Sequence, residues 1–159
     1  MSSLPSLGPR GEGWVALQGV LLVAEVAVGV LAGSLWSGDT RLATTAAGVI
    51  AMALGAVLGA RGIVDLREAL TALPHPRDGA SLVDTGAYAL VRHPIYGGII
   101  VGSAGFGLAA ASPLAVAGAA VLLAFFRLKS AREEAWLAAR YPGYDAYRGR
   151  TRRMIPWVY

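Results

Sequence analysis

The stretch LATTAAGVIAMALGAVLGA, residues 42–60, decides the fold of this chain, because its 19 positions contain no charged residue. A helix of that length rises about 28 Å, close to the thickness of a bilayer's hydrocarbon core. A run without periodic polar positions is typical of a helix in lipid rather than of one face of a soluble core. The stretch therefore predicts a membrane span over residues 42–61.

Three further apolar runs surround this stretch. They cover residues 14–36, which contain one charge at Glu25, and residues 95–111 and 114–128. The last two are short for a perpendicular crossing and only Ser112 and Pro113 separate them, so we expect a close helical hairpin. The first two runs are joined by a short turn and are expected to form a tight antiparallel hairpin.

The pattern as a whole predicts an all-α integral membrane protein. We expect four transmembrane helices and a C-terminal interfacial amphipathic helix, in a single membrane domain over residues 1–159. The composition agrees, since 55% of the residues are hydrophobic and 15% are charged, against about 25% charged residues in a typical soluble domain. Cysteine is absent and there are only two histidines, so no metal site is expected.

The basic residues predict the orientation. Of the 14 lysines and arginines, 13 lie before the first run, in the connection 62–93 with its flanking Arg61, or from residue 127 onward, and the other is Arg41. Cytoplasmic loops are enriched in these residues, so both termini, the connection and the tail 129–159 are expected in the cytoplasm, at a bacterial plasma membrane. The charge favours contact with anionic membrane lipids over nucleic acid.

The segment GAYALVRHPIYGG, residues 86–98, has features of a binding site. Pro94 suits the first turn of a helix, which makes His93 the cap and leaves backbone N–H groups free to attract an anion. Tyr88 and Tyr96 offer aromatic surface and polar groups for an adenine or a ribose. The alternative is that the Arg-His pair and the tyrosines of this segment only anchor the chain at the membrane interface.

A second cluster, KSAREE at residues 129–134, follows the fourth run directly. Its adjacent acids, Glu133 and Glu134, point about 100° apart on a helix, so one can face a site while the other pairs with an arginine. The alternative is a solvated helix face. Because the cluster shares a membrane side with the Arg-His-Pro turn, we expect the two to converge on one pocket.

Together these features resemble the isoprenylcysteine carboxyl methyltransferase and phospholipid methyltransferase family of membrane enzymes. The resemblance extends over about residues 70–157 and rests on LVDTGAY at 82–88, VRHPIYG at 91–97, Glu133-Glu134 with Leu137, and Tyr144 and Tyr147 before Arg150 and Pro156. It implies a methyltransferase that carries the methyl group of S-adenosylmethionine to a lipophilic acceptor, a carboxylate or another nucleophile, at the cytoplasmic face. S-adenosylhomocysteine would be the product.

The resemblance also implies roles for individual residues. The implied cofactor-binding residues are Ala80, Ser81, Leu82, Val83, Tyr88, Arg92, His93, Pro94, Tyr96 and Glu133. The candidate catalytic residues are Lys129, Arg132 and Glu134. A cation, with Arg127 as a further candidate, would orient a carboxylate acceptor, whereas an amine acceptor would favour Glu134. Lys129 and Leu73 stand where the eukaryotic carboxyl methyltransferases carry arginine and glutamine. The identity of the acceptor is therefore the property that the resemblance predicts least.

Two other functions are compatible with parts of the sequence. Glu25 lies inside the first apolar run, where an ionisable group is costly and often functional, and it suggests a small four-helix antiporter that exchanges drugs for protons. The alternative for Glu25 is a protonated side chain hydrogen-bonded to a neighbouring helix. The second function is a membrane reductase with a related C-terminal half, which would bind a nicotinamide.

Overall fold

The computed structural model of the protein describes residues 4–32 and 34–158, and among these every regular element is helical. The α-helices are α1 (Glu12–Leu31), α2 (Gly38–Leu66), α3 (Pro94–Ala109), α4 (Pro113–Arg140) and α5 (Tyr144–Arg150). Short 3-10 helices lie at Arg67–Ala69 and Gly86–Ala89. The predicted all-α class is therefore confirmed over the described residues.

Three of the helices are long and apolar enough to cross a membrane. They are α1, α2 with its 3-10 extension to Ala69, and α4. Most of the surface of α1 and α2 is exposed and apolar, as expected of helices that face lipid. Helix α3 is equally apolar, but its 16 residues are fewer than the roughly 20 that a perpendicular crossing needs.

Several boundaries differ from the predicted ones. Helix α1 ends at Leu31 instead of residue 36, and α2 begins at Gly38 and continues to Leu66. The largest difference is in α4, which does not stop at residue 128 but continues to Arg140. The added residues, KSAREEAWLAAR, are mostly strong helix formers and include no glycine or proline, so nothing interrupts the helix before Pro142.

The tail also differs from its prediction. A separate segment lying on the membrane from residue 129 was expected, but its first twelve residues continue α4 and only the seven-residue α5 follows. Helix α5 buries Tyr144 and Tyr147 against the rest of the protein. The tail therefore covers one end of the helix bundle, its C-terminal helix is α5 alone, and the position of α5 at the membrane interface stays a prediction.

Helices α2 and α3 pack backbone to backbone. The buried residues of α2 are Gly48, Gly55 and Gly62, at seven-residue intervals on one face. A Cβ atom on Gly55 would lie 2.5 Å from the carbonyl oxygen of Gly98, and one on Gly48 would lie 2.5 Å from that of Gly105. Small residues at a helix interface allow this close approach in a membrane.

Helix α1 packs on α4, so the predicted hairpin between α1 and α2 was wrong. The rings of Trp14 and Phe125 meet with centroids 5.8 Å apart. Gly29, also buried on α1, faces Phe106 of α3. Helix α1 does not pack on α2 because the glycine face of α2, which allows the closest approach, is already occupied by α3. The buried residues of α1 lie instead on its face toward α3 and α4.

The two ends of the helix bundle differ in structure. At one end, the backbone N–H of Leu35 donates to the carbonyl of Ala111 across 3.1 Å, so the α1–α2 and α3–α4 connections lie side by side. At the other end, the start of α1, the end of α2, the start of α3 and the last turns of α4 surround a cavity. The connection after α2 and the tail complete its walls.

Candidate active site

The Arg-His-Pro turn is held in place by the tail. Pro94 is the first residue of α3 and His93 is its cap residue, although the His93 side chain makes no capping bond. The backbone N–H groups of Arg92 and His93 donate to the carbonyls of Arg152 and Arg153, each across 2.9 Å. A Cβ atom on Gly97 would lie 2.0 Å from the Met154 carbonyl, so glycine is required for the tail to lie against the first turn of α3.

The two glutamates of α4 point to different partners, as predicted. Glu133 accepts a hydrogen bond from the Tyr96 hydroxyl across 2.8 Å and lies 3.7 Å from Nδ1 of His93. Glu134 is buried, 3.2 Å from Nε2 of His93 and 2.9 Å from Nε of Arg92. The His93 ring thus lies between the two carboxylates. The turn and the acidic pair meet as predicted, but of the two acids only Glu133 lines the cavity at this end of the bundle.

Glu134 belongs to a structural ion pair rather than to an open site. At about 1.5 Å per residue, α4 is longer than the hydrocarbon core is thick, and its apolar run ends at Leu128, so Glu134 lies beyond the membrane-spanning part. Burial alone would raise the pKa of Glu134, but hydrogen bonds and charge from His93 and Arg92 outweigh it and lower the pKa to about 2. The carboxylate is therefore ionised at neutral pH.

Arg92 connects the same ion pair to the tail. Its guanidinium also donates to the carbonyl of Thr151 across 2.6 Å and to that of Arg148 across 3.2 Å. One side chain therefore links α4, the turn before α3 and the tail. The Glu134 side chain lies behind the cavity wall, so the geometry does not bring the predicted catalytic carboxylate to the cavity.

The cavity has a volume of about 420 Å³, within the range of about 300–1,000 Å³ typical of small-molecule sites. Most of the residues that sequence reasoning assigned to a cofactor lie on its wall. They are Ala80, Ser81, Leu82, Val83, Tyr88, Arg92, His93, Tyr96 and Glu133. Pro94 does not line the cavity, because it is buried against Gly62 of α2 where it begins α3.

Part of this wall exposes backbone groups. The carbonyl of Ala80 accepts from the Tyr141 hydroxyl across 2.7 Å. By contrast, no hydrogen bond among the described residues uses the backbone of Ser81, Leu82 or Val83. Ser81 is exposed and the other two residues are half-buried, so their backbone donors and acceptors are open to water or to a ligand.

Three tyrosines form the cavity wall next to the tail. Tyr88 and Tyr147 are connected, because the Tyr147 hydroxyl donates to the Tyr88 carbonyl across 2.8 Å. Burial, together with the nearby charge of Glu133, raises the pKa of Tyr88, so its ring stays neutral. The buried Tyr144 hydroxyl has no hydrogen-bond partner within the described part of the chain. Buried hydroxyls are nearly always paired, so this one is an unsatisfied group beside the cavity.

Two residues predicted to orient the methyl acceptor, Lys129 and Arg132, lie in different surroundings. Lys129 is buried on the cavity wall, where Nζ donates to Oε1 of Gln18 across 2.5 Å and lies 5.0 Å from the centre of the Tyr96 ring. Between residues 4 and 158 no carboxylate lies within ion-pair distance of it. Arg132 instead stacks on Trp136 at 4.3 Å and does not reach the cavity.

Some wall residues were missed by sequence reasoning. Val15 and Gln18 bring α1 to the cavity, and Gln18 could have been noticed as an amide near the start of an apolar run. Asp65 does not line the cavity but accepts from the backbone N–H of Ala87 across 2.7 Å and so positions the segment before Tyr88. Leu73, the expected departure from the related enzymes, lies on the wall.

Glu25 lies away from this cavity. It is buried next to Ser103 of α3 and faces Gly118 of α4, and its Oε1 has no partner within the described part of the chain. It does not line the wall that carries His93 and Glu133. The residue on which the antiporter hypothesis rests is therefore separate from this cavity.

Apolar helices enclosing a mixed polar and apolar cavity at one end define a helical membrane protein with a small-molecule site. Residues 43–143 match the model of the phospholipid methyltransferase family, and this is most of the chain. The protein therefore belongs to that family of membrane methyltransferases, which confirms the resemblance of its motifs. No curated protein matches the chain significantly. Helix α1 and the tail from Tyr144 lie outside the matched segment.

Proposed function

We propose that the protein transfers the methyl group of S-adenosylmethionine to a lipophilic acceptor at the cytoplasmic membrane surface. The observation that carries the proposal is the convergence of His93, Tyr96 and Glu133 on a cavity of about 420 Å³. A family of methyltransferases supplies the reaction type, and the cavity supplies a place for donor and acceptor to meet.

The wall chemistry fits this cofactor. The Glu133 carboxylate suits a cationic group, the free backbone of Ser81–Val83 suits a polar rim, and the rings of Tyr88 and Tyr147 suit a planar base. The unpaired Tyr144 hydroxyl would gain a partner. When bound, the cofactor supplies a methyl group already activated on a sulfonium.

The chain's own residues therefore need mainly to hold the donor and the acceptor and to align their reacting groups. Tyr96 donates to Glu133 and stacks on His93, with ring centroids 5.3 Å apart and planes 5° from parallel. Behind them Glu134 fixes His93 and Arg92. This layered support keeps the wall rigid, and alignment of reacting groups in a dry site accounts for a large part of such catalysis.

We further propose that the acceptor is acidic. The buried Lys129 ammonium has no carboxylate partner in the part of the chain that the structure describes, and apolar side chains such as Leu70 and Leu73 line the same cavity. A lipophilic molecule with a carboxylate would offer both an anion for Lys129 and apolar surface for this wall. An amine acceptor is less well served, because Glu134 is already paired.

The membrane arrangement that fits this chemistry has four crossings in one domain. The contact between Leu35 and Ala111 lies opposite the cavity end, so α3 extends from one end of the bundle to the other. A 16-residue helix can cross if the bilayer thins locally. The basic residues concentrate at the cavity end, which the positive-inside rule assigns to the cytoplasm.

A thermal-stability assay tests the donor. The purified protein should be stabilised by S-adenosylmethionine and S-adenosylhomocysteine, and not by NADPH, since a ligand stabilises only the folded state that binds it. Glu133→Gln should lose this response, whereas Glu68→Gln, a control in the connection, should keep it. Stabilisation by NADPH alone would reject the proposal in favour of a reductase.

A transfer assay tests the acceptor. Protein incubated with methyl-labelled donor and a native lipid extract should label an acidic lipophilic molecule, and the label should be released by mild base because it is a methyl ester. A label stable to base would contradict the carboxylate and leave the methyl transfer itself supported.

A further inference from the structure

One cation on the cavity wall has no part in the site described so far. Arg77 lies in the connection between α2 and α3 and lines the same cavity as Glu133. Its guanidinium donates to the carbonyl of Glu68 across 2.7 Å, and between residues 4 and 158 no carboxylate lies within ion-pair distance of it. We propose that Arg77 binds the carboxylate at the methionine end of the methyl donor, an inference that rests on the proposed function.

The charges of the other wall residues favour this assignment. Arg92 and His93 both contact the carboxylate of Glu134, at 2.9 Å and 3.2 Å. Lys129 is the proposed partner of the acceptor. S-adenosylmethionine brings a carboxylate of its own, besides its sulfonium and its ammonium, and a carboxylate that leaves water needs a partner. Among the described arginines and lysines of the wall, Arg77 is the one that remains for it.

The turn that carries Arg77 lies at the opposite end of the cavity from the proposed acceptor group. The cavity-lining residues of α4 and its cap follow at four-residue intervals, and they are Lys129, Glu133, Leu137 and Tyr141. The turn at residues 77–80 is attached at the far end of this row, where the Tyr141 hydroxyl donates to the Ala80 carbonyl. At about 1.5 Å per residue, Tyr141 lies about 18 Å from Lys129 along the helix. The donor and the acceptor can therefore each have a cation.

Contacts within the turn and to α4 hold the backbone of Arg77 in place. The backbone N–H of Ala80 donates to the Arg77 carbonyl across 3.2 Å, and Asp78 pairs with Arg140 at 3.4 Å. The Arg77 side chain itself is exposed, so it is accessible to a polar molecule that arrives from water. A guanidinium has five N–H donors in a planar fork that matches the two oxygens of a carboxylate. The bond to the Glu68 carbonyl uses one of them.

The test compares two ligands that differ in this carboxylate alone. They are S-adenosylhomocysteine and its decarboxylated analogue, which carries an aminopropyl group on the sulfur. In calorimetric titrations of the full chain, the wild type should bind S-adenosylhomocysteine about tenfold more tightly than the analogue, because a hydrogen bond to a charged group contributes about 1.5 kcal/mol or more. Arg77→Gln should weaken S-adenosylhomocysteine binding by about tenfold and change the affinity for the analogue by less than about twofold.

Two further variants control for charge and position. Arg77→Lys keeps the positive charge and should recover most of the lost affinity. Arg61→Gln removes the same charge from α2, outside the cavity wall, and should change neither affinity. An equal loss for both ligands in Arg77→Gln, or no loss for either, would overturn the assignment of Arg77 and leave donor binding intact. A wild type that binds neither ligand would overturn this assignment together with the proposed function.

Discussion

Lys129 donates a hydrogen bond to Gln18 across 2.5 Å, which connects α4 to a helix outside the segment matched by the family. Both residues line the cavity. The amide oxygen holds the Lys129 Nζ without an opposing negative charge, so it leaves this group available to pair with an acidic acceptor. Gln18 is therefore a positioning residue in the proposed reaction.

We predict that Gln18→Ala raises the KM for an acidic acceptor by about tenfold, since a hydrogen bond to a charged group contributes about 1.5–3 kcal/mol. The affinity for S-adenosylhomocysteine should stay unchanged, because Gln18 acts through Lys129. Steady-state kinetics with varied acceptor and a calorimetric titration of the product measure the two quantities.

Gln18→Glu provides the sharper comparison. A carboxylate at this position would pair with Lys129 and compete with the acceptor, so KM should rise further than in Gln18→Ala. If Gln18→Glu used the acidic acceptor as well as the wild type does, Lys129 could not be the group that orients it.

The unpaired hydroxyl of Tyr144 gives a prediction that separates stability from binding. Tyr144→Phe should leave the ligand-free protein at least as stable as the wild type, because a buried hydroxyl without a partner costs about 1–3 kcal/mol. The same change should weaken S-adenosylhomocysteine binding severalfold, as measured by calorimetry.

Tyr147→Phe is the matched control for this prediction. Its hydroxyl donates to the Tyr88 carbonyl, so its removal should lower the stability of the ligand-free protein by about 1 kcal/mol. Equal stability losses in both variants would contradict the view that the Tyr144 hydroxyl is reserved for a ligand.

The ion pair of Glu134 predicts a pH dependence of stability. Its pKa in the folded protein is about 2, below the ordinary value of 4.5, so its stabilising contribution is complete above pH 4.5 and is lost as the pH falls toward 2. Unfolding curves of the wild type and of Glu134→Gln should differ by about 3 kcal/mol at neutral pH. This difference should shrink between pH 4.5 and 2, and a gap independent of pH would reject the assignment.

The glycine face between α2 and α3 predicts a steric effect. Gly55→Ala should cost about 1–3 kcal/mol, because its Cβ would lie 2.5 Å from the Gly98 carbonyl and the helices would have to separate. Gly102→Ala places a methyl group where no atom lies within 4 Å, so it should be neutral or slightly stabilising. Thermal unfolding in detergent compares the two variants.

Local patterns predicted much of this molecule. The apolar runs located the helices, Pro94 located the start of α3, and the spacing of Glu133 and Glu134 predicted their divergence. These features depend on residues close in sequence. They could be derived because a helix turn or a cap is determined by its own few residues.

Features that depend on tertiary packing were not predictable in the same way. The pairing of α1 with α4 follows from which helix occupies the glycine face of α2, and the contact between Gln18 and Lys129 spans 111 positions. Arg132 was indistinguishable from a site residue until Trp136 was placed beneath it. Such contacts depend on which of several helix faces pack together most favourably. The order of these packing energies cannot be derived from a single sequence.

The contact of the tail with Gly97 has a consequence for biosynthesis. Helices α1 to α4 are complete by Arg140, whereas the backbone that contacts the turn before α3 and its first residues comes from residues 152–154. Translation therefore delivers the apolar segments to the bilayer first and the clamp afterwards. We therefore expect membrane insertion of the apolar helices to come before completion of the cavity by the tail.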